Sequence, residues 1–260
     1  MKVLPRRLRH GEEATLVEHL DELRHRLILS IVAVAVAFGV AFAFHEQVMD
    51  WLRAPLPPER ENDLLTLGVT EPFFISLKVS LYAGLALALP LVLWQLWSFL
   101  APAFEETLQR VIAAFVALAT VLFAGGMAFS YYVVLPRALE FLTTYDSRQY
   151  DIQLRASSYY TFTTAVLAAL GLVFELPIFV LALVRLGILT SQELRRNRRV
   201  GYVIAIVVAV VLPTVDPVSL AFESIPLVVL FELSIWLSVF CERRWRAAGS
   251  IPEREAVPAR

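Results

Sequence analysis

The chain has 260 residues, 58% of them hydrophobic and 18% charged, with a mean hydropathy of +0.66. A soluble domain averages about 45–50% apolar and about 25% charged, so this composition excludes a cytosolic globular domain and a disordered chain. The net charge of -1, from 23 basic and 24 acidic residues, argues against a nucleic-acid partner.

The chain begins with a polar, charged segment, residues 1–26, in which no cleaved signal is read. Within it Thr15-Leu16-Val17-Glu18 has the pattern of a capping box, which starts a helix at Thr15. Leu16, Leu20, Leu23 and Leu27 then recur at three- to four-residue spacing and form one apolar stripe. Two readings stay open for this element. It is an interfacial amphipathic helix leading into the membrane, or it presents Glu22 and its neighbours to a basic ligand.

Six apolar spans follow, at about Leu27–Phe44, Ile75–Leu96, Val111–Leu135, Ala165–Leu186, Val200–Leu212 and Val218–Phe240. Crossing a hydrocarbon core of about 30 Å takes about 20 helical residues. The expectation is an all-α integral membrane protein, with a transmembrane domain over 27–240 and a charged tail, 241–260, expected to be disordered. The fifth span falls short: Val200–Leu212 reaches only about 20 Å at about 1.5 Å per residue. It ends at once in Pro213-Thr214-Val215-Asp216-Pro217, which implies local thinning of the bilayer or a pocket open to one side. The sixth span carries Glu223, Pro226 and Glu232 and should turn a polar face to protein or water.

With both termini inside, 17 of the 23 Lys and Arg fall in inner segments and 6 in outer ones, which places both termini in the cytoplasm. Sorted this way the net charge is a cancellation. The inner face is positive and the outer face negative, while Glu175, Glu223 and Glu232 stay with the spans. Two acidic islands interrupt the positive face, Glu12–Glu22 and Glu105-Glu106. The second stands in the loop after Trp94, Trp97 and Phe99, where either ordinary loop variation or a site for a guanidinium explains it.

Glu175 is the most informative single residue. It lies 11 residues before Leu186, about 16 Å deep at about 1.5 Å per residue, where a carboxylate needs a polar partner or a proton. Enzyme chemistry finds little support. All four histidines, His10, His19, His25 and His45, lie in the first fifth of the chain, Lys78 near the outer rim is the one basic side chain that could serve as a base in the spans, and no phosphate-cradling glycine loop appears. The one cysteine, Cys241, allows no internal disulfide and no thiolate metal cluster. Gly125-Gly126 inside the third span reads as a place where helices approach closely.

The run His19-Leu20-Asp21-Glu22-Leu23-Arg24-His25-Arg26-Leu27 resembles the amino-terminal signature of the TatC family, the multi-spanning subunit of the twin-arginine protein translocase. The likeness continues in order through Pro55, Glu71-Pro72-Phe73, Trp97–Ala103, Phe174-Glu175-Leu176-Pro177, Asp216, Ile225-Pro226 and Phe231-Glu232, and it covers about Leu16–Phe240. The resemblance implies a six-helix, cupped membrane protein with short fifth and sixth helices that is not an enzyme. It implies a receptor for signal peptides with paired arginines, which exports folded proteins together with single-span partners of the TatA and TatB types and further copies of itself. Neither cofactor nor metal is implied, and the proton-motive force is the expected drive.

Carried over by motif, the signal-binding residues are Glu22, Arg24, Arg26, Phe99 and Pro102, with Glu105 and Glu106 the nearest carboxylates to Leu108, where the family has a glutamate. Glu175, Asp216 and Glu232 are the polar residues assigned to partner contact, and Pro55, Glu71, Pro72 and Pro226 belong to structural motifs. Thr214-Val215 and Leu220 depart from the prolines and glutamine usual at those places. A rival reading is a small proton- or cation-coupled transporter built on Glu175 and a broken helix, against which no internal repeat is visible.

Overall fold

The structure is a computed structural model that describes residues 16–57, 64–100, 108–146, 148–149, 152–213 and 217–247. It is helical throughout. An isolated parallel bridge between Leu65 and Arg155 is the one β-type pairing among the described residues. In chain order the helices are α1 (Leu16–Ala43), α2 (His45–Arg53), α3 (Glu71–Leu100), α4 (Leu108–Phe129), α5 (Leu135–Thr144), α6 (Ala156–Val173), α7 (Leu176–Arg185), α8 (Ser191–Arg196), α9 (Arg198–Val211) and α10 (Pro217–Ala247).

Among the described residues five stretches are long and apolar enough to cross a membrane: His19–Ala43, Glu71–Phe99, Ala113–Thr144, Ala156–Arg185 and Pro217–Arg244. The fifth span expected from the sequence corresponds to α9, whose 14 residues fall below that length. The sixth corrects the expectation of a short helix, because α10 runs for 31 residues with Pro226 inside it. Its polar face turns to the protein as expected, with Glu223 fully buried together with Ser219, Ser234 and Ser238. α10 also extends to Ala247, through the first residues assigned to the tail.

The amino-terminal segment leads into the first span without a break. From Leu16 to Ala43 the helix is unbroken, and Thr15 lies outside the described residues. Its leucine stripe points outward, with Leu20, Leu23 and Leu27 at 62, 42 and 57% exposure, so these side chains have no protein partner to bury against. α1 packs along α3, closely enough that a Cβ on Gly84 would lie 2.7 Å from the Phe38 backbone.

The third span also runs further than its apolar stretch. α4 passes through a π turn, Ser130–Val134, into α5, so the helix continues past Leu135 to Thr144. Proline crowds the preceding turn of a helix, and the wider turn just before Pro136 makes room for its ring. The fourth span is instead divided at Phe174-Glu175 into α6 and α7.

Two cores hold the bundle. The larger gathers Leu52, Leu56, Ile75, Val79, Leu135 and Leu227 with the rings of Tyr131, Tyr159 and Tyr160. A smaller one joins Trp97, Phe115, Ile178 and Leu181, with Cys241 packed beside it. The smaller core brings the carboxy-terminal ends of α3, α7 and α10 to one end of the bundle, where most arginines also lie.

Candidate functional site

The best-formed polar cluster stands at that arginine-rich end. Helical spacing puts His19, Glu22 and Arg26 on one face of α1, three and four residues apart. Arg26 donates to Glu22 Oε1 from Nε at 3.0 Å and from Nη2 at 2.5 Å, and its Nη1 reaches Gln95 Oε1 on α3 at 3.5 Å. His19 Nδ1 lies 4.0 Å from Glu22 Oε2, and its ring stacks on Phe99 with centroids 4.4 Å apart and planes 14° from parallel. Glu22 and Arg26 are about a quarter exposed, at 27% and 23%, so water still reaches the pair.

The geometry therefore brings together Glu22, Arg26 and, through His19, Phe99. Arg24 is exposed and stands apart from this group, two residues from Glu22 on another side of the helix. Pro102, Glu105 and Glu106 lie outside the described residues. Gln95 and His19 were not foreseen as members. A single amide within Leu93-Trp94-Gln95-Leu96, and a histidine one turn before Glu22, are the signals by which they could have been found.

Glu175 occupies the break between α6 and α7, where it is the residue preceding α7, and Pro177 follows inside the first turn. Its amide donates to Leu172 O at 3.1 Å and its carbonyl accepts from Phe179 N at 3.0 Å. Its carboxylate does not cap the helix, and Oε1 is buried without a hydrogen-bond partner among the described residues. The half-buried Phe174 beside it packs on Gly126, where a Cβ would meet the ring at 2.7 Å.

Glu232 belongs to a different group. It accepts a short hydrogen bond from the Tyr202 hydroxyl and lies 3.4 Å from Arg198 Nη2, both on α9. No hydrogen bond or ion pair among the described residues joins it to Glu175, and Asp216 lies outside them.

The residues of the structural motifs sit at the opposite end. Pro55 follows α2 between the buried Leu52 and Leu56. Glu71, only 9% exposed, opens α3 and accepts from the Leu67 and Gly68 amides at 2.9 and 3.2 Å. Arg155 completes the arrangement, donating to Glu71 from Nε at 2.9 Å. The carboxylate raises the pKa of the Arg155 guanidinium. Pro72 is exposed in the first turn of α3. Tyr159 and Tyr131 donate to the Leu52 and Trp51 carbonyls at 2.6 and 2.7 Å, tying α2 to the bundle. No group of three or more His, Cys, Asp or Glu suited to a metal occurs among the described residues.

A family model described as Sec-independent protein translocase protein (TatC) matches residues 18–226. The chain is 36% identical over 239 residues to the Sec-independent protein translocase protein TatC of Koribacter versatilis, covering 88% of each. It is 37% identical over 233 residues to TatC of Aquifex aeolicus, covering 88% of this chain and 96% of that one. It is 34% identical over 233 residues to TatCd of Bacillus subtilis, with 90% and 95% covered. Two crystal structures described as the twin-arginine translocase receptor TatC share its fold. One aligns with a TM-score of 0.73 at 34% identity, over 86% of this chain and all of the other. The second, determined in DDM, aligns at 0.75 and 36% identity, over 85% and 99%.

Proposed function

The chain belongs to the TatC family of Sec-independent protein translocase proteins, and from that premise we propose that it receives signal peptides bearing paired arginines at the Glu22 end of the bundle. The observation that carries this reading is the Glu22 carboxylate holding the Arg26 guanidinium through two donors beside a second acceptor, Gln95. An acceptor set that fits one guanidinium fits another of the same shape, and a lysine ammonium lacks the planar fork to match it.

In this reading an arginine of the signal takes the place of Arg26 on Glu22, while Gln95 remains to hold the displaced side chain. Phe99 offers an aromatic face on which a guanidinium stacks once His19 moves aside. Glu105 and Glu106 supply the carboxylates for the second arginine, and Arg24 and Pro102 flank the site. α9 is the fifth of six crossings, and both termini lie in the cytoplasm of a multi-pass cell-membrane protein, as the placement of arginine favours. Single-span subunits of the TatA and TatB types join it at Glu175 and Asp216, with Glu232 at the other end of α9. Folded proteins then cross at the expense of the proton-motive force, with no cofactor and no catalytic step.

The experiment is complementation of a translocase-deficient cell with this chain and two reporters, one carrying a twin-arginine signal and the other twin lysine. Export of the first alone is expected. Export of neither overturns the reading. The transporter alternative draws on the buried Glu175 oxygen, and proton or solute movement in vesicles holding this chain alone would favour it.

A further inference from the structure

Opposite the arginine-rich end, an open groove of about 460 Å³ is lined by Lys78, Ser157, Ser158, Thr161, Phe162 and Pro213. Its polar groups come from two helices. Lys78 Nζ donates to Thr161 Oγ1 at 3.1 Å, so the amine turns sideways onto α6. An ammonium has three donors and a hydroxyl satisfies one of them. Among the described residues no carboxylate pairs with Lys78, since Glu71, which also reaches Ser157, is engaged by Arg155.

Two independent lengths place this groove at the same depth. Lys78 is seven residues inside α3 from Glu71, about 10 Å along the axis at about 1.5 Å per residue. α9 spans about 21 Å by the same rise against a hydrocarbon core of about 30 Å, so its far end stops about 9 Å short of that surface. Pro213, just past that recessed end, forms one wall of the groove. A cation and the Ser158 and Thr161 hydroxyls thus meet the end of a short helix at a level where the bilayer would otherwise be hydrocarbon. Lipid adapts to a short helix by thinning, which draws headgroups down to its end.

We propose that this groove binds the phosphate of a phospholipid headgroup, held by Lys78 with hydroxyl donors from Ser158 and Thr161, so that one lipid is fixed where α9 ends. Phe162 borders the groove beside the acyl chains. With the arginine-rich end in the cytoplasm, this lipid belongs to the outer leaflet. The site is independent of signal-peptide binding at Glu22, which stands at the other end of the bundle.

The test uses the full chain in nanodiscs of phosphatidylglycerol, with a photo-reactive residue at Ala165, which also lines the groove. Crosslinking to phospholipid is expected in the parent protein and in Lys78→Arg, and a loss of at least fivefold in Lys78→Gln. Ser158→Ala with Thr161→Val gives a second measure should Lys78→Gln fail to fold, and a fall in crosslinking is expected there too. Diacylglycerol added to the discs should not compete, and neither should inorganic phosphate in solution. The proposal is overturned if Lys78→Gln crosslinks lipid as the parent does, as it would were Lys78 satisfied by Asp216. Displacement by free phosphate, or capture of a single-span protein in place of lipid, overturns it as well.

Discussion

Glu22 and Arg26 are joined across one helical turn by two hydrogen bonds to the same carboxylate oxygen, and the pair is shared with Gln95 on the neighbouring helix. The carboxylate with the clearest claim to an incoming arginine is therefore occupied by an arginine of the chain itself. Under the proposed function, binding at this site is an exchange of guanidinium groups. Its free energy is the difference between two similar contacts.

The first prediction follows from that exchange. A partly exposed ion pair of this kind contributes about 0.2–1 kcal/mol, so Arg26→Gln should raise affinity for a twin-arginine peptide by up to about fivefold. Glu22→Gln should lower it only as far as the signal's contact exceeds the Arg26 contact it replaces, by about fivefold or less on the same scale. Fluorescence titration of labelled peptide, with a twin-lysine peptide as control, reads both. An unchanged affinity in Glu22→Gln removes this carboxylate from the site.

Two neighbouring glycines should behave oppositely. At Gly125 a Cβ meets nothing within 4 Å, whereas at Gly126 it would lie 2.7 Å from Phe174 Cγ and 2.8 Å from the Leu170 carbonyl oxygen. Gly125→Ala is expected to be neutral or to stabilise by about 0.5–1 kcal/mol through the helix interior. Gly126→Ala should destabilise by about 1–3 kcal/mol, because a backbone carbonyl and a packed ring both have to shift. Thermal unfolding in detergent separates the two, and equal midpoints would contradict the α4–α6 contact.

This contrast also marks what the residues alone could convey. Close helix packing was legible in Gly125-Gly126, but which glycine faces α6 depends on the rotation of α4, which an all-apolar helix does not encode. The shortness of α9 was plain because Pro213 and charged Arg198-Arg199 bound it on either side. The sixth span was also long enough by its residues, but its extension to Ala247 was not legible, since Glu242, Arg243 and Arg244 read as the start of a charged tail. The Glu22–Arg26 pair follows from i,i+4 spacing, yet Gln95 is 69 residues from Arg26 and enters only through the α1–α3 packing.

At the other end of the bundle, Arg155 secures the segment after α2 in two ways. Its side chain neutralises Glu71, while the amides and carbonyls around it pair Leu65 with Leu154 and Ala156 at 2.9 and 2.8 Å. Arg155→Ala leaves Glu71 with only Ser157 and backbone donors and loosens the approach to α3. Faster protease cleavage between residues 54 and 70 is expected, with the thermal midpoint lowered. Arg155→Lys should recover part of the loss, since an ammonium supplies the charge without the paired geometry. Cleavage at the parent rate in Arg155→Ala would show that the backbone bridge alone holds the segment.

The last prediction concerns Glu175, where a helix break and a buried carboxylate oxygen coincide. A carboxylate inside a bundle stays there at a cost unless something bonds to it, and a polar group on a partner helix would offset that cost. Replacing it with alanine removes the acceptor without disturbing the break, which Pro177 and the Phe174–Gly126 contact maintain. Glu175→Ala is therefore expected to keep or raise the thermal midpoint of the isolated chain while reducing co-purification of single-span subunits. Glu175→Gln, which preserves a hydrogen-bonding group of similar size, should retain more of the partner than alanine does. Full partner recovery with Glu175→Ala would assign the residue to the chain's own packing, and a collapse of the midpoint would do the same.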